Sequence, residues 1–271
     1  MATKIFITGA SGCIGHYVID LLINNPEYEI HLLVRDQKLL KFYNNQPNIH
    51  IHQGNLDAIE AHKDIISQMN YVIHIATDWS NSEYADLLNH TKTHTMFGYC
   101  SGDHCKKIIY FSTASILGPG NKATPAAETE GTGYIRSKYR AFNAIKELDV
   151  YNKIVTVFPT LVFGGDKDHP FSHINSGIIG SLHYVKWIRF LAIEGSFNFM
   201  HAKDIANIAV YAMTHDVKNE LVLGNQDPIT AKQAIKAICR VFNIMQIGQI
   251  TVPKWVILML AKWFRVEIDP W

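Results

Sequence analysis

Tyr134 and Lys138 stand four residues apart in Tyr134-Ile135-Arg136-Ser137-Lys138, followed by the amphipathic spacing of Tyr139, Ala141, Phe142, Ile145 and Leu148. On a helix, residues at i and i+4 share a face. An ammonium held beside a phenol favours the phenolate and draws a tyrosine toward the working range of a general acid or base. Upstream, Thr113 closes the apolar run that ends in Phe111-Ser112. A hydroxyl from this strand end is placed to hydrogen-bond a carbonyl or alcohol oxygen.

A second set of residues suits a dinucleotide. Thr8-Gly9-Ala10-Ser11-Gly12-Cys13-Ile14-Gly15 follows the apolar run Lys4 to Ile7 and opens a helix with Val18, Leu21 and Leu22 on its apolar side. A buried strand breaking into such a turn aims backbone N–H groups at a pyrophosphate. Gly9 permits the tight turn, Gly12 lets the phosphates approach, and Gly15 lets the helix pack on the strand.

These residues need a scaffold, and the chain supplies one. Apolar, β-branched runs at Ile5–Thr8, Ile30–Val34, Ile49–Gln53, Tyr71–Ile75, Ile108–Ser112 and Ile154–Pro159 alternate with helical stretches. The alternation predicts an α/β fold, a Rossmann-type doubly wound parallel sheet with helices on both faces. Ligands bind at the carboxyl ends of such strands. Residues 1–165 are therefore expected to form the dinucleotide-binding domain, with 199–224 returning to it through a helix after Asp204 and a strand at Leu221–Gly224. Residues 166–198 and 225–271 are left for a small substrate lobe.

Composition excludes several alternatives. The 271 residues are 48% hydrophobic and 18% charged, enough for a large core, and 25 Lys and Arg balance 24 Asp and Glu. No charge excess draws the chain to nucleic acid or anionic lipid. The apolar stretch Val252 to Phe264 is short for a membrane span and is interrupted by Pro253, Lys254 and Lys262. The opening residues lack a leader pattern, and Cys13, Cys100, Cys105 and Cys239 lack disulfide or metal spacing, so a reduced, cytoplasmic setting is expected. Among the histidines, His50/His52 and His90/His94 are close in sequence; no Glu follows His90 and no third ligand is apparent for the His90/His94 pair, so no metal site is expected.

With these motifs in order, the chain resembles the extended short-chain dehydrogenase/reductases, the NAD-dependent epimerase/dehydratase family. Thr8 to Gly15 matches that family's TGxxGxxG and Tyr134 to Lys138 its YxxxK; Val72 to Ala76, Asn89, Phe158-Pro159 and Phe199 to Ala206 match further segments. The resemblance implies Tyr134 as proton donor or acceptor, Lys138 on the nicotinamide ribose and Thr113 as the catalytic hydroxyl. It also implies a dinucleotide held by Thr8, Gly9, Ser11, Gly12, Cys13, Ile14 and Gly15, by Asn55 and Leu56 at the adenine, and by Ile75, Ala76, Thr77 and Pro159 along the crevice. A homodimer formed through two helices is implied as well.

Cofactor choice turns on Arg35-Asp36 at the end of the second strand. An acid there binds ribose hydroxyls, an arginine a 2′-phosphate. Val34-Arg35-Asp36 resembles the dihydroflavonol-reductase-like branch, so NADP is expected, with NAD as the alternative. Ala114 and Ser115 stand where the dehydratases carry an acidic pair, and Phe158-Pro159-Thr160 stands where epimerases carry asparagine. The expected activity is hydride transfer between nicotinamide and a small carbonyl or secondary alcohol. The alternatives are an NAD-retaining sugar-nucleotide epimerase and a non-catalytic dinucleotide-binding protein.

Overall fold

The structure, a computed structural model, describes residues 2–40, 43, 46–80, 82–181, 189–193, 195–245 and 250–252. Most of the apolar stretch 252–264 lies outside the described residues. Seven strands form one parallel sheet: β1 (Thr3–Thr8), β2 (Tyr28–Val34), β3 (Ile49–Gln53), β4 (Tyr71–His74), β5 (Lys107–Phe111), β6 (Ile154–Pro159) and β7 (Glu220–Leu223). Their spatial order is β7-β6-β5-β4-β1-β2-β3. After β3 the chain returns past β1 to lay down β4, so the order reverses between β1 and β4, where open parallel sheets leave a ligand crevice.

Alternating side chains divide two cores between the faces of the sheet. On one face Ile5, Ile7, Ile30, Leu32, Ile73 and Val155 pack beneath helices α1 (Cys13–Leu22) and Ala202–Thr214. Ala202, Ala206 and Ala209 are fully buried, and such short side chains let this helix lie close to α1. On the other face Phe6, Val72, Ile108, Tyr110 and Phe158 meet α2 (residues 83–98) and α3 (Gly133–Ala144). Burial on both sides explains why the central strands read as continuous apolar runs.

The middle of α2, Leu87–Lys92, is wound as a π-helix. Such insertions gather at functional sites, and this one carries the fully buried Asn89. Beyond β6 the sheet gives way to short ribbons. Leu161–Phe163 runs parallel to Phe199–His201, and Ser196–Phe197 antiparallel to Ile229–Thr230. Helix α4 (His173–Ser181) lies between Leu161–Phe163 and the other three strands, and Ala231–Val241 follows with a Thr230/Gln233 capping box. Among the described residues no helix is long and apolar enough to cross a membrane.

Candidate active site

The glycine turn lies at the carboxyl end of β1, and two of its glycines, Gly9 and Gly15, are sterically required. Gly9 adopts φ +75°, and a Cβ on it would lie 2.6 Å from the Ala76 nitrogen. A Cβ on Gly15 would come within 2.3 Å of the Gly9 carbonyl oxygen. The Gly12 N–H donates to that same oxygen at 3.0 Å, and Gly12 begins α1 with no side chain capping it. An uncapped helix start behind a backbone cradle is the arrangement that accepts a diphosphate. Thr8, Ser11, Cys13 and Ile14 complete the turn; burial and the nearby Asp166 push the Cys13 thiol up to about 11, so it stays protonated.

At the next strand ends, Arg35 is exposed directly after β2. Asp36 turns its carboxylate onto the Lys38 N–H at 2.9 Å. Asn55, after β3, accepts from the Leu56 N–H at 2.8 Å and donates to the Tyr84 hydroxyl (2.9 Å) and Asp57 (3.0 Å). Its amide hydrogens are thus already engaged.

Beneath the crevice runs a buried polar chain. His74 Nδ1 lies 2.7 Å from Thr8 Oγ1 and its Nε2 2.9 Å from Thr93 Oγ1. The Thr93 hydroxyl spends its proton on the Leu88 carbonyl, so His74 must donate from Nε2 and accept at Nδ1. This is a neutral imidazole, consistent with burial, and then Lys138, holding its pKa well below the usual value. Thr8 in turn accepts from the Ala76 N–H at 3.3 Å, which joins the glycine turn to the segment Ile75-Ala76-Thr77.

Tyr134, Lys138 and Thr113 converge at the ends of β5 and α3. Thr132 caps α3 by accepting from the Ile135 N–H at 3.2 Å, so Tyr134 occupies its first turn. The Tyr134 phenol is buried beside Thr113, which acts to lower its pKa. Lys138, 1% exposed, donates to the Phe111 carbonyl at 2.9 Å and lies 5.2 Å from the centre of the Tyr110 ring. Here the structure differs from the expectation for the pair. Burial raises the Tyr134 pKa, opposed only by Thr113, and burial lowers Lys138 to about 7. Desolvation outweighs pair attraction because both groups have left water and the ammonium is spent on a main-chain carbonyl.

Three features carry roles that the sequence-based expectations did not assign, although Asn89 and the segment Val72 to Ala76 were named there as family matches. Asn89 Oδ1 accepts from Thr77 Oγ1 (3.0 Å) and the Asp78 N–H (2.8 Å), while its Nδ2 donates to the Asp78 carbonyl (2.7 Å) and Ser137 Oγ (3.0 Å). Every hydrogen-bonding position of this side-chain amide is used, and the strand-end loop is tied to the helix bearing Tyr134. Second, Trp79 stacks on Tyr134 and meets His173 of α4 edge-on, with ring centroids 5.6 Å apart. Third, a histidine within the apolar run Val72-Ile73-His74 was the visible sign of the polar chain beneath the crevice. An aromatic residue just beyond a strand end was the corresponding sign for Trp79.

A model of the NAD dependent epimerase/dehydratase family matches residues 5–224, from β1 through β7 and including all of the segments above. The chain belongs to that family. Its likeness to solved members is one of fold. The UDP-N-acetylglucosamine 4-epimerase from Methanobrevibacter ruminantium M1, solved with UDP-N-acetylmuramic acid, is 18% identical with TM-score 0.72, over 93% of this chain and 85% of that one. The Bordetella bronchiseptica enzyme WbmH, solved with NAD+, is 17% identical with TM-score 0.74, over 93% and 86%. The dTDP-4-dehydrorhamnose reductase from Yersinia enterocolitica is 19% identical with TM-score 0.70, over 94% and 85%. Among curated proteins, Uncharacterized protein YLL056C of Saccharomyces cerevisiae is 30% identical over 122 residues, 44% of this chain and 41% of that protein. As a member of the epimerase/dehydratase family, the chain keeps the glycine turn and the Tyr/Lys pair on one crevice.

Proposed function

We propose that the protein is an NADP(H)-dependent oxidoreductase acting on a small carbonyl or secondary alcohol, with Tyr134 as general acid/base. The observation that carries this is the buried Tyr134 phenol, beside Thr113 and one helical turn from Lys138, at the strand ends that also hold the glycine turn. The uncapped start of α1 and the cradle that a Cβ would fill fit a dinucleotide pyrophosphate. Thr8, Gly9, Ser11, Gly12, Cys13, Ile14 and Gly15 would hold it. Ile75, Ala76, Thr77 and Pro159 would line the crevice, with Asn55 and Leu56 at the adenine. Arg35 would take the 2′-phosphate, which its guanidinium can bind through two N–H donors, while Asp36 accepts from the Lys38 N–H through Oδ1.

The bound nicotinamide supplies the hydride. With its pKa raised by burial, Tyr134 is a neutral donor near pH 7, which suits protonation of a carbonyl oxygen during reduction. Thr113 and the protonated fraction of Lys138 would then stabilise the phenolate, and Lys138 would also hydrogen-bond the ribose. Residues 166–198 and the segment after 224 would form the substrate lobe, with Trp79 and His173 forming a wall between it and Tyr134. The family model and the UDP-N-acetylglucosamine 4-epimerase fold favour a second reading, an epimerase that retains NAD.

The deciding experiment is a fluorescence titration with NADPH and NADH, on protein first checked for carried-over cofactor. Preference for NADPH that Arg35→Ala lowers at least about tenfold, as expected for loss of a charge-assisted phosphate contact, supports the proposal. Retained NAD puts the epimerase first. Failure to bind either nucleotide would overturn the enzymatic role, and turnover unchanged in Tyr134→Phe would overturn Tyr134 as its general acid/base.

A further inference from the structure

The edge of the sheet opposite β7 carries a cluster that plays no part in the site above. Parallel pairing of β2 with β3 sets His31 against His50 and Leu33 against His52, and Glu29 is two residues before His31. Because strand side chains alternate, Glu29, His31, His50 and His52 project from one face. Both imidazole Nε2 atoms turn toward one carboxylate oxygen: Glu29 Oε1 is 3.0 Å from His31 Nε2 and 3.7 Å from His50 Nε2. The three candidate ligand atoms all lie within 4.8 Å of one another.

We propose that Glu29, His31 and His50 bind one divalent transition-metal ion of the zinc class, with a fourth position open to solvent. Two imidazoles and a carboxylate are a donor set that zinc accepts together with a water. Bonds of about 2.0–2.1 Å in a tetrahedron place ligand atoms roughly 3.3 Å apart, between the two separations seen here. The outer contacts suit the task. His31 Nδ1, on the far side of the ring from the ligating nitrogen, lies 2.9 Å from His52 Nε2, the kind of partner that fixes a ligand ring's orientation. The His31 side chain is 10% exposed and that of His50 46%, so the cluster is anchored from within and reached from water on the His50 side.

One charged neighbour opposes the ion. Lys4 on β1 holds its ammonium 3.9 Å from Glu29 Oε1 and competes for the same oxygen. The site joins β2 to the edge strand β3 across a cross-strand pair, so occupancy would pin the sheet edge without touching the strand ends where Tyr134 acts.

The test uses tag-free, full-length protein stripped with chelator, titrated with Zn2+ by calorimetry and with Co2+ by visible absorption. Wild type is expected to bind one ion per chain, with the visible bands of low-coordinate Co2+. His50→Gln and Glu29→Gln should each weaken Zn2+ binding by more than about tenfold, and His52→Ala by roughly ten- to a hundredfold. Lys4→Met should tighten it. His50 is half exposed, so His50→Gln should fold normally, which circular dichroism checks. Equal affinity in wild type and His50→Gln, an equal loss in the outlying His215→Gln, or no wild-type binding at all would each overturn the proposal.

Discussion

The Trp79 indole lies over the Tyr134 ring, centroids 4.2 Å apart and planes 22° from parallel. Trp79 is nevertheless 57% exposed, so its outer face borders the open side of the proposed site. Replacing it with Ala should cost stability little, roughly 0.5–1.5 kcal/mol for the lost stack. The main expected effect is on selectivity. Trp79→Ala should accept bulkier ketones with a changed KM while its NADPH affinity stays within about threefold, equivalent to less than about 0.7 kcal/mol. An unchanged substrate profile would remove Trp79 from the substrate wall.

Lys138 gives stability a pH dependence whose sign follows from its burial. Its pKa falls from 10.5 in water to about 7 when folded, so between those values the unfolded chain binds the additional proton. The cost of burying the charge is fully present below about pH 7 and is relieved as pH rises toward 10.5. At about 1.4 kcal/mol per pKa unit it is on the order of a few kcal/mol. Lys138→Met should remove this slope, although losing the bond to the Phe111 carbonyl returns roughly 1–3 kcal/mol of destabilisation. Melting curves from pH 6 to 10 check this; parallel profiles for the two proteins would contradict it.

His169 sits between two carboxylates, 2.7 Å from Asp20 on α1 and 2.7 Å from Asp166, and stacks on Tyr17 at 4.0 Å. Burial lowers its pKa, but the bonds to Asp20 and Asp166 offset this and leave it raised. A raised folded pKa means that the stabilisation is complete below about 6.5, the ordinary histidine value, and is lost as pH climbs through the folded value. Asp166, held down to about 2 chiefly by His169, adds stability above 3.8 that disappears as pH falls through about 2. His169→Asn should therefore flatten the decline above pH 6.5 and weaken the hold of α1 on residues 164–171. Chemical denaturation at pH 5.5 and 8.5 is the measurement.

Gly15→Ala sets a small local gain against a steric loss. An alanine in a helix interior is favoured by about 1 kcal/mol over glycine. The added carbon would meet the Gly9 oxygen at 2.3 Å and Ala10 Cα at 2.7 Å, both in the backbone, and overpacking of that kind costs roughly 1–3 kcal/mol. A Tm lower by a few degrees and loss of nucleotide binding are expected. Normal NADPH affinity would show that α1 can shift without harm.

Local chemistry made much of the fold legible in the sequence. The expected runs Ile5–Thr8, Ile30–Val34 and Ile49–Gln53 became Thr3–Thr8, Tyr28–Val34 and Ile49–Gln53, and the helix after Asp204 became Ala202–Thr214. Strands buried on both faces must be apolar throughout, and a tight turn against a neighbouring strand must be glycine, so these elements appear in the letters themselves.

What the sequence alone determined, then, is the order of strands and helices, the glycine cradle and the Tyr134/Lys138 spacing, because each depends on neighbours within about one helical turn. Tertiary structure decided which distant side chains meet. Trp79 reaches Tyr134 across 55 positions, and His31 faces His50 only because β2 and β3 pair in that register. It also decided the protonation of Lys138. A pKa set by burial depends on atoms from every element packed around the group, and no spacing along the chain encodes them.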